Sequence, residues 1–163
     1  MRSAVKRFVL WIGCMSIFLM GCANSETNAS YLIPEAYTGY AIAVYNVKNA
    51  PPLTYEKGFA VHTMNEDGYF ATSQPDMQYG TVTDQYFYVD QAGNRTPIDP
   101  TCIHTFGTGG LQSDKVNLLY TGIEVTDNCL EAFAHSSENF DDTQLRTIMN
   151  KVTKQYYDVE AYP

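Results

Sequence analysis

The residues best suited to acid–base chemistry in this sequence lie around His104. An imidazole titrates near neutral pH, so His104 with a carboxylate such as Asp99 or Asp114 could serve a small hydrolase as its acid–base pair. Glycines at 107–110 follow closely, and their bare backbone could approach a ligand or cradle an anion. Such glycines more commonly allow a tight chain reversal in a loop. Catalysis by His104 and Asp99 is therefore one hypothesis, and a non-catalytic role is the other.

The other titratable side chains give weaker signals. Asp84, Asp90 and Asp99 fall in loops or at strand ends and could gather Ca²⁺, but no EF-hand spacing occurs. His62 lies in the middle of a predicted strand, where a packed role is expected, and His135 lies in a predicted linker. The sequence contains neither a phosphate-binding loop pattern nor a G-x-S-x-G elbow. We therefore predict no metal site and no cofactor.

The sequence opens with a secretory leader that ends in a lipobox. Three basic residues precede an apolar run over residues 8–20, and Leu19-Met20-Gly21-Cys22 closes it. The run is short for a permanent membrane span, which needs ~20 apolar residues. We predict a signal peptide over residues 1–21, with Cys22 lipidated on its thiol and on its new amine, because two or more acyl chains anchor stably. An ordinary signal with a coincidental Gly-Cys is the alternative.

The residues after the cleavage point set the domain boundaries. Residues 22–30 comprise the lipidated cysteine and small polar residues, which predicts a flexible tether. A single β-rich domain is expected over residues 31–163. Because Ala23 rather than Asp follows Cys22, the anchor is predicted to lie in the outer membrane of a cell with two membranes. In a cell with one membrane it lies on the outer face of the plasma membrane.

Two cysteines remain for the mature domain. Of the four, Cys14 lies in the leader and Cys22 takes the lipid, which leaves Cys102 and Cys129. An exported pair is most simply a disulfide. Two separate buried thiols are the main alternative, since the C-x-x-C spacing of metal and redox sites is missing.

Charge narrows the possible partners. Loss of the leader removes three of the ten basic residues and none of the eighteen acidic ones, so the net charge changes from −8 to −11. Nucleic acids and anionic lipid headgroups both require clustered Lys and Arg. We therefore expect no nucleic-acid partner, and we expect the lipid on Cys22, rather than the protein surface, to hold the domain at the membrane.

Most of the domain reads as short strands and turns. Residues 40–47 are apolar at odd and even positions alike, which is typical of a strand buried on both faces. Two hairpins are predicted, one over residues 58–73 around an Asp-Gly turn and one over residues 85–98. Residues 116–125 form another predicted strand, in which Gly122 marks a bulge or a close contact.

The last quarter of the chain changes to a helical period. Its apolar residues recur at helical spacing, namely Leu145, Ile148, Met149, Val152 and Tyr156. Carboxylates start the segment and lysines fall in its later turns, which predicts a helix at about 140–157. The expected fold is mainly β, a small antiparallel β-sandwich or partial barrel with this one amphipathic helix packed on it. Membrane docking of the helix is the alternative, although its polar face is mixed in charge.

Three stretches carry a family resemblance. They are Y-L-I-P-E-A-Y-T-G-Y at 31–40, Y-F-Y-V-D at 86–90 and I-H-T-F-G-T-G at 103–109. Together they resemble a family of uncharacterised bacterial lipoproteins, over roughly residues 31–125. Ala36 stands where that family usually has glycine. The resemblance implies export and a small β-rich module, and it supplies no catalytic residues.

These observations favour a membrane-anchored envelope lipoprotein whose domain is a non-catalytic binding or structural module. Its expected partner is an envelope protein, a peptide or a glycan. The alternative is a small hydrolase that acts on envelope polymers through His104 and a carboxylate such as Asp99.

Overall fold

The computed structural model describes residues 25–127, 129 and 142–162. The predicted leader, the lipidation site Cys22 and His135 lie outside these residues. The described part contains nine strands, a short 3₁₀ turn at Pro100–Cys102 and one helix. The strands are β1 Ala29–Pro34, β2 Gly39–Tyr45, β3 Thr54–Glu56, β4 Phe59–Thr63, β5 Tyr69–Ala71, β6 Gln85–Val89, β7 Arg95–Pro97, β8 Ile103–Gln112 and β9 Asn117–Val125, and helix α1 is Asp142–Tyr157.

The strands form two sheets that pack face to face. Sheet I has the order β3-β4-β1-β6-β7, and sheet II has the order β5-β2-β9-β8. The predicted β-rich sandwich with one C-terminal helix is confirmed. Its sheets are mixed rather than purely antiparallel, since β1 pairs in parallel with both β4 and β6, and β2 pairs in parallel with β5. The physical reason is that the chain passes repeatedly from one sheet to the other, so neighbouring strands often run the same way.

The predicted hairpin over residues 58–73 is wrong, although its turn is present. Gly68 closes the turn by donating its N–H to the carbonyl of Asn65 at 3.0 Å, with a φ of 79°. The strands on either side then diverge, because β4 joins sheet I and β5 joins sheet II. The second predicted hairpin is confirmed, since β6 and β7 pair antiparallel across a turn in which Asp90 N–H donates to the Asn94 carbonyl at 3.1 Å.

The predicted loop over residues 107–110 is also corrected, because these glycines belong to strand β8. The strand pairs antiparallel with β9, with a register shift between Thr105 and Gly107. A side chain at Gly109 would collide with the ring of Tyr120, and one at Gly122 would collide with the ring of Phe106. The glycines therefore make room for aromatic rings on the paired strand, and the close contact predicted at Gly122 is confirmed.

Strand β2 forms the centre of the molecule, with both of its faces covered as predicted. On one face Ile42 and Val44 pack in an apolar cluster with helix α1, whose Met149 and Val152 are fully buried. Burial of each such side chain contributes about 1.5–3 kcal/mol. The apolar stripe predicted for the C-terminal helix therefore packs on sheet II.

The other face of β2 points toward sheet I. Ala41, Ala43 and Tyr45 lie there in a second cluster, opposite Tyr31 and Ile33 of β1. The molecule thus has three layers, in the order helix, sheet II and sheet I.

Residues 26–30, which lie before the predicted domain boundary at residue 31, already make contacts with the sheets. Glu26 forms an isolated bridge with Thr81, and the N–H of Thr27 donates to the Thr81 carbonyl at 3.0 Å. Strand β1 then starts at Ala29, whose N–H donates to a carboxylate oxygen of Asp84 at 2.9 Å. The last residues of the predicted tether therefore belong to the fold. Composition alone suggested that their polar groups were solvated, but these groups form hydrogen bonds with residues that are distant in sequence.

The disulfide predicted between Cys102 and Cys129 is present and spans 27 positions of sequence. It ties the segment after β9 to the 3₁₀ turn that precedes β8. A covalent loop of this size stabilises a fold by roughly 3–4 kcal/mol on the chain-entropy estimate. Within the residues that the structure describes, no helix has the length and apolar character to cross a membrane.

Candidate functional site: a cavity around His62

The predicted acid–base residues are not assembled with one another. His104 is half-buried on β8 opposite Glu124, and Asp114 is exposed in the turn that follows β8. Asp99 caps the 3₁₀ turn, where it accepts hydrogen bonds from the Thr101 N–H at 2.9 Å and from the Thr101 hydroxyl at 2.7 Å. Over residues 25–127, 129 and 142–162, no hydrogen bond or ion pair joins His104 to either carboxylate.

The chemistry of Asp99 also suits a structural role. The hydrogen bonds from the Thr101 N–H and hydroxyl lower the pKa of Asp99. A general acid needs the opposite shift, because it must hold its proton near neutral pH. Asp99 therefore acts as a capping residue.

The three acidic residues considered as calcium ligands serve three separate structures. Asp84 holds the start of β1, and Asp99 caps the 3₁₀ turn. Asp90 closes the β6–β7 turn by accepting from the N–H groups of Ala92 at 2.9 Å and Asn94 at 2.8 Å. Among the residues described, no group of three or more His, Cys, Asp and Glu side chains could hold a metal ion.

The structure shows a different site, a small cavity at the side of sheet I that faces β2. Its volume is about 40 Å³. A cavity needs about 10–15 Å³ to hold one water molecule, so this one has room for a few groups of that size. We call it the His62 cavity, after its buried histidine. Its lining includes Tyr31, Tyr45, Tyr55, His62, Asp76 and Asp84.

His62 lies on β4 and is only 1% exposed. Its Nε2 atom is 2.7 Å from the Tyr45 hydroxyl. The imidazole stacks on the ring of Tyr31 with centroids 5.0 Å apart, and it meets the ring of Phe70 edge-on at 5.3 Å. These contacts hold the ring in one position.

The other ring nitrogen, Nδ1, is buried and has no hydrogen-bond partner among the described residues. Burial lowers the pKa of His62 to about 4. The backbone of Ala60 acts in the opposite direction and raises the pKa, although it does not make a well-formed hydrogen bond with Nδ1. The imidazole is therefore neutral at physiological pH. A buried polar atom without a partner costs about 1–3 kcal/mol, and such atoms are rare in native proteins.

Tyrosine hydroxyls and one carboxylate surround this histidine. Burial raises the pKa of Tyr31, Tyr45 and Tyr86, and the negative charge of Asp84 raises all three further. The phenols therefore stay protonated beside a carboxylate. One oxygen of Asp84, Oδ1, accepts hydrogen bonds from the Thr27 hydroxyl and the Ala29 N–H.

The rim of the cavity is acidic and carries exposed apolar groups. Asp76 and Asp84 line the cavity, and its lining contains no Lys or Arg. Tyr55 lines it as well and is 55% exposed. The exposed ring of Tyr79 lies close by, since its hydroxyl donates to Asp76 at 2.8 Å. Exposed Val82 lies two residues before Asp84.

The sequence placed His62 correctly on a strand, in a packed position, but it gave no sign of the cavity. The observation that reveals the site is the register of the strands. Tyr31 of β1 pairs with His62 of β4 on one side and with Tyr86 of β6 on the other, which puts three rings in a row across sheet I. Both pairings are parallel and join distant parts of the chain, so no local motif reveals them.

Comparison with known proteins gives the family. Residues 25–133 match a family of unknown function, DUF6843. The chain belongs to this family. The matched region includes the strands of both sheets and the residues of the His62 cavity, and it ends before helix α1. The match agrees with the resemblance of residues 31–125 to an uncharacterised family.

A solved structure shows the same fold. The chain is similar to a "putative lipoprotein" from Bacillus anthracis, known from a crystal structure, with 36% sequence identity and a TM-score of 0.72. The similarity covers 80% of this chain and 97% of the Bacillus anthracis chain. A comparison with curated proteins finds no match.

Proposed function

We propose that this protein is a lipid-anchored lipoprotein of the cell envelope, and that its β-domain is a non-catalytic binding module. The observation that carries the proposal is the agreement of two independent signals. The leader ends in a lipobox at Cys22, and the chain is 36% identical to a protein from Bacillus anthracis that bears the name lipoprotein. In a cell with two membranes the anchor lies in the outer membrane, and otherwise on the outer face of the plasma membrane.

The anchor is tested by metabolic labelling with a fatty acid. Replacement Cys22→Ser removes the thiol that takes the lipid, so the label should disappear from the protein. Cys14→Ser is the matched control, because it removes a leader thiol that lies before the cleavage point and should leave labelling intact. Continued labelling of the Cys22→Ser protein would contradict the proposal.

The non-catalytic part rests on the chemistry of the histidines and carboxylates. His62 is held neutral by burial, with a pKa of about 4, and its hydrogen-bond partner is a tyrosine rather than a carboxylate. Asp99 is occupied as a cap, and none of the described contacts pairs it with His104. The His62 cavity, with its exposed rim, is the part of the described surface best suited to bind a partner.

The binding role is tested by site-specific photo-crosslinking in intact cells. A photoreactive phenylalanine analogue at position 55 sits on the rim of the cavity and should give a discrete crosslinked product with an envelope protein, peptide or glycan. The same analogue at exposed Lys115, in the turn between β8 and β9, is the control and should give none. Equal products at both positions, or none at position 55, would contradict a partner bound at the cavity.

A further inference from the structure

We propose that the His62 cavity binds the primary ammonium group of a larger cell-surface molecule. The inference rests on the proposed binding function and names the chemical class of its ligand. Three properties of the cavity support it: its charge, its size and its unused hydrogen-bonding groups.

Charge excludes anions and favours cations. Asp76 and Asp84 line the cavity without any Lys or Arg to balance them. The domain as a whole is acidic, with a net charge of −11 after loss of the leader. A positively charged ligand is therefore attracted both over distance and at the site.

The cavity is small. Its volume of about 40 Å³ has room for an ammonium group and a few water molecules, so a larger molecule can reach it with one such group while its remainder stays outside. Tyr55 lines the cavity and is 55% exposed, so its ring is placed to contact the chain that carries the ammonium.

The cavity also offers acceptors for an ammonium group, which has three N–H donors and no acceptor. Oδ2 of Asp84 accepts no hydrogen bond from the described residues, whereas Oδ1 accepts two. Nδ1 of His62 becomes an acceptor in the tautomer whose Nε2–H donates to Tyr45. It is the only side-chain nitrogen or oxygen of the described residues that is buried without a partner. Both residues line the cavity, so an ammonium bound there has acceptors among the lining groups.

The test is an NMR titration of the full chain in detergent micelles, with ¹³C,¹⁵N-labelled histidine. The chain has three histidines, so the ring signals of His62 can be assigned with His104→Gln and His135→Gln variants. Butylammonium chloride is the probe, and 1-butanol is its neutral match. We expect saturable shifts of the His62 ring with butylammonium and none with 1-butanol.

Variants separate the site from general charge. Asp84→Asn keeps an oxygen for Thr27 and Ala29 but loses the charge, so it should weaken butylammonium binding at least about tenfold. Asp114→Asn removes the same charge from an exposed turn and should leave the affinity unchanged. Asp76→Asn, at an exposed position where it cannot disturb the core, should weaken binding about two- to threefold.

Several results would overturn the inference. They are equal shifts with 1-butanol, equal weakening by Asp84→Asn and Asp114→Asn, or a His62 response to CaCl₂ without one to butylammonium. This titration does not depend on lipid attachment. If it fails while position 55 still crosslinks in cells, the binding role stands and the ligand class is wrong.

Discussion

The two faces of sheet II differ in what they bury. The helix side, between sheet II and α1, is packed with aliphatic side chains such as Ile42 and Val44, together with tyrosine rings. The cavity side, between sheet II and sheet I, also contains aliphatic side chains and tyrosines, but it holds the only buried histidine of the described residues, the neutral ring of His62. A single strand, β2, supplies residues to both sides.

The two faces therefore differ in what they contribute to stability. The helix side gains free energy from every buried apolar group and contains no unpartnered side-chain polar atom among the described residues. The cavity side loses about 1–3 kcal/mol to an unpartnered nitrogen. Natural proteins tolerate such local costs mainly at sites of function. The comparison supports the proposal, with the helix side as scaffold and the cavity side as the proposed binding face.

The largest effect is expected from truncation on the helix side. Met149→Ala removes a fully buried side chain and leaves a cavity, which should lower the free energy of unfolding by about 2–5 kcal/mol. Urea denaturation measures the change. Lys151→Ala, on the exposed face of the same helix, is the control and should cost less than about 1 kcal/mol through its ion pair with Asp67. A similar small cost for both variants would contradict a scaffold role for the helix side.

The next effect is a dependence of stability on pH that comes from the cavity side. The pKa of His62 falls from 6.5 to about 4 on folding, so between these values the unfolded chain binds a proton that the folded protein does not. The free energy of unfolding should therefore drop as the pH falls from about 6.5 to about 4, by roughly 3 kcal/mol in total. Above this window the contribution of His62 is constant.

Carboxylates also titrate near the acid end of the window, so the test is a difference between variants. His62→Gln should flatten the curve of unfolding free energy against pH relative to the wild type. If His62→Gln leaves the slope unchanged, the histidine is not buried in its neutral form.

A smaller effect is expected from the hydroxyl that holds His62. Tyr45→Phe leaves Nε2 without the partner it has at 2.7 Å, so both ring nitrogens become unsatisfied in a buried site. The expected loss of stability is about 1–2 kcal/mol. Tyr79→Phe removes an exposed hydroxyl and should change the unfolding free energy by less than about 0.5 kcal/mol. An equal loss of stability in the two variants would contradict a stabilising role for the hydrogen bond between Tyr45 and His62.

The smallest effect on stability is expected from a substitution in the turn between β1 and β2, which lies outside both faces of sheet II. Ala36 has a φ of 59° in a turn that is closed by Tyr37 N–H to the Pro34 carbonyl at 3.1 Å. Alanine thus adopts the left-handed shape that favours glycine, the residue usual here in the family that the sequence resembles. Ala36→Gly should stabilise the protein by up to about 1 kcal/mol and leave the His62 ring signals unchanged. Destabilisation would contradict the assigned turn geometry.

Local patterns in the sequence predicted the elements whose partners are close in the chain or whose burial is periodic. Strand β2, helix α1 and the β6–β7 hairpin belong to this group. The turn at 65–68 showed that the chain reverses, but turn residues carry no information about which sheet the next strand joins. The glycines of β8 misled in the same way. Gly109 leaves room for the ring of Tyr120, which only the pairing with β9 brings against it.

The candidate site was hidden for a related reason. Its central residues, Tyr31, Tyr45, His62 and Asp84, come from four separate segments and meet only through parallel pairing in sheet I and the packing of sheet II on it. Each residue alone has an ordinary structural explanation. The disulfide could be predicted, in contrast, because removal of the leader cysteines left a single pair.

The most direct test of this account is the ring pKa of His62, measured by NMR in the full chain without ligand. A neutral histidine kept buried and partly unpaired should titrate at about 4, and its ring signals should remain those of the neutral form at pH 5.5. A pKa near 6.5 would contradict the account, because the ring would then be reached by water and the cavity side would have no buried group reserved for a ligand.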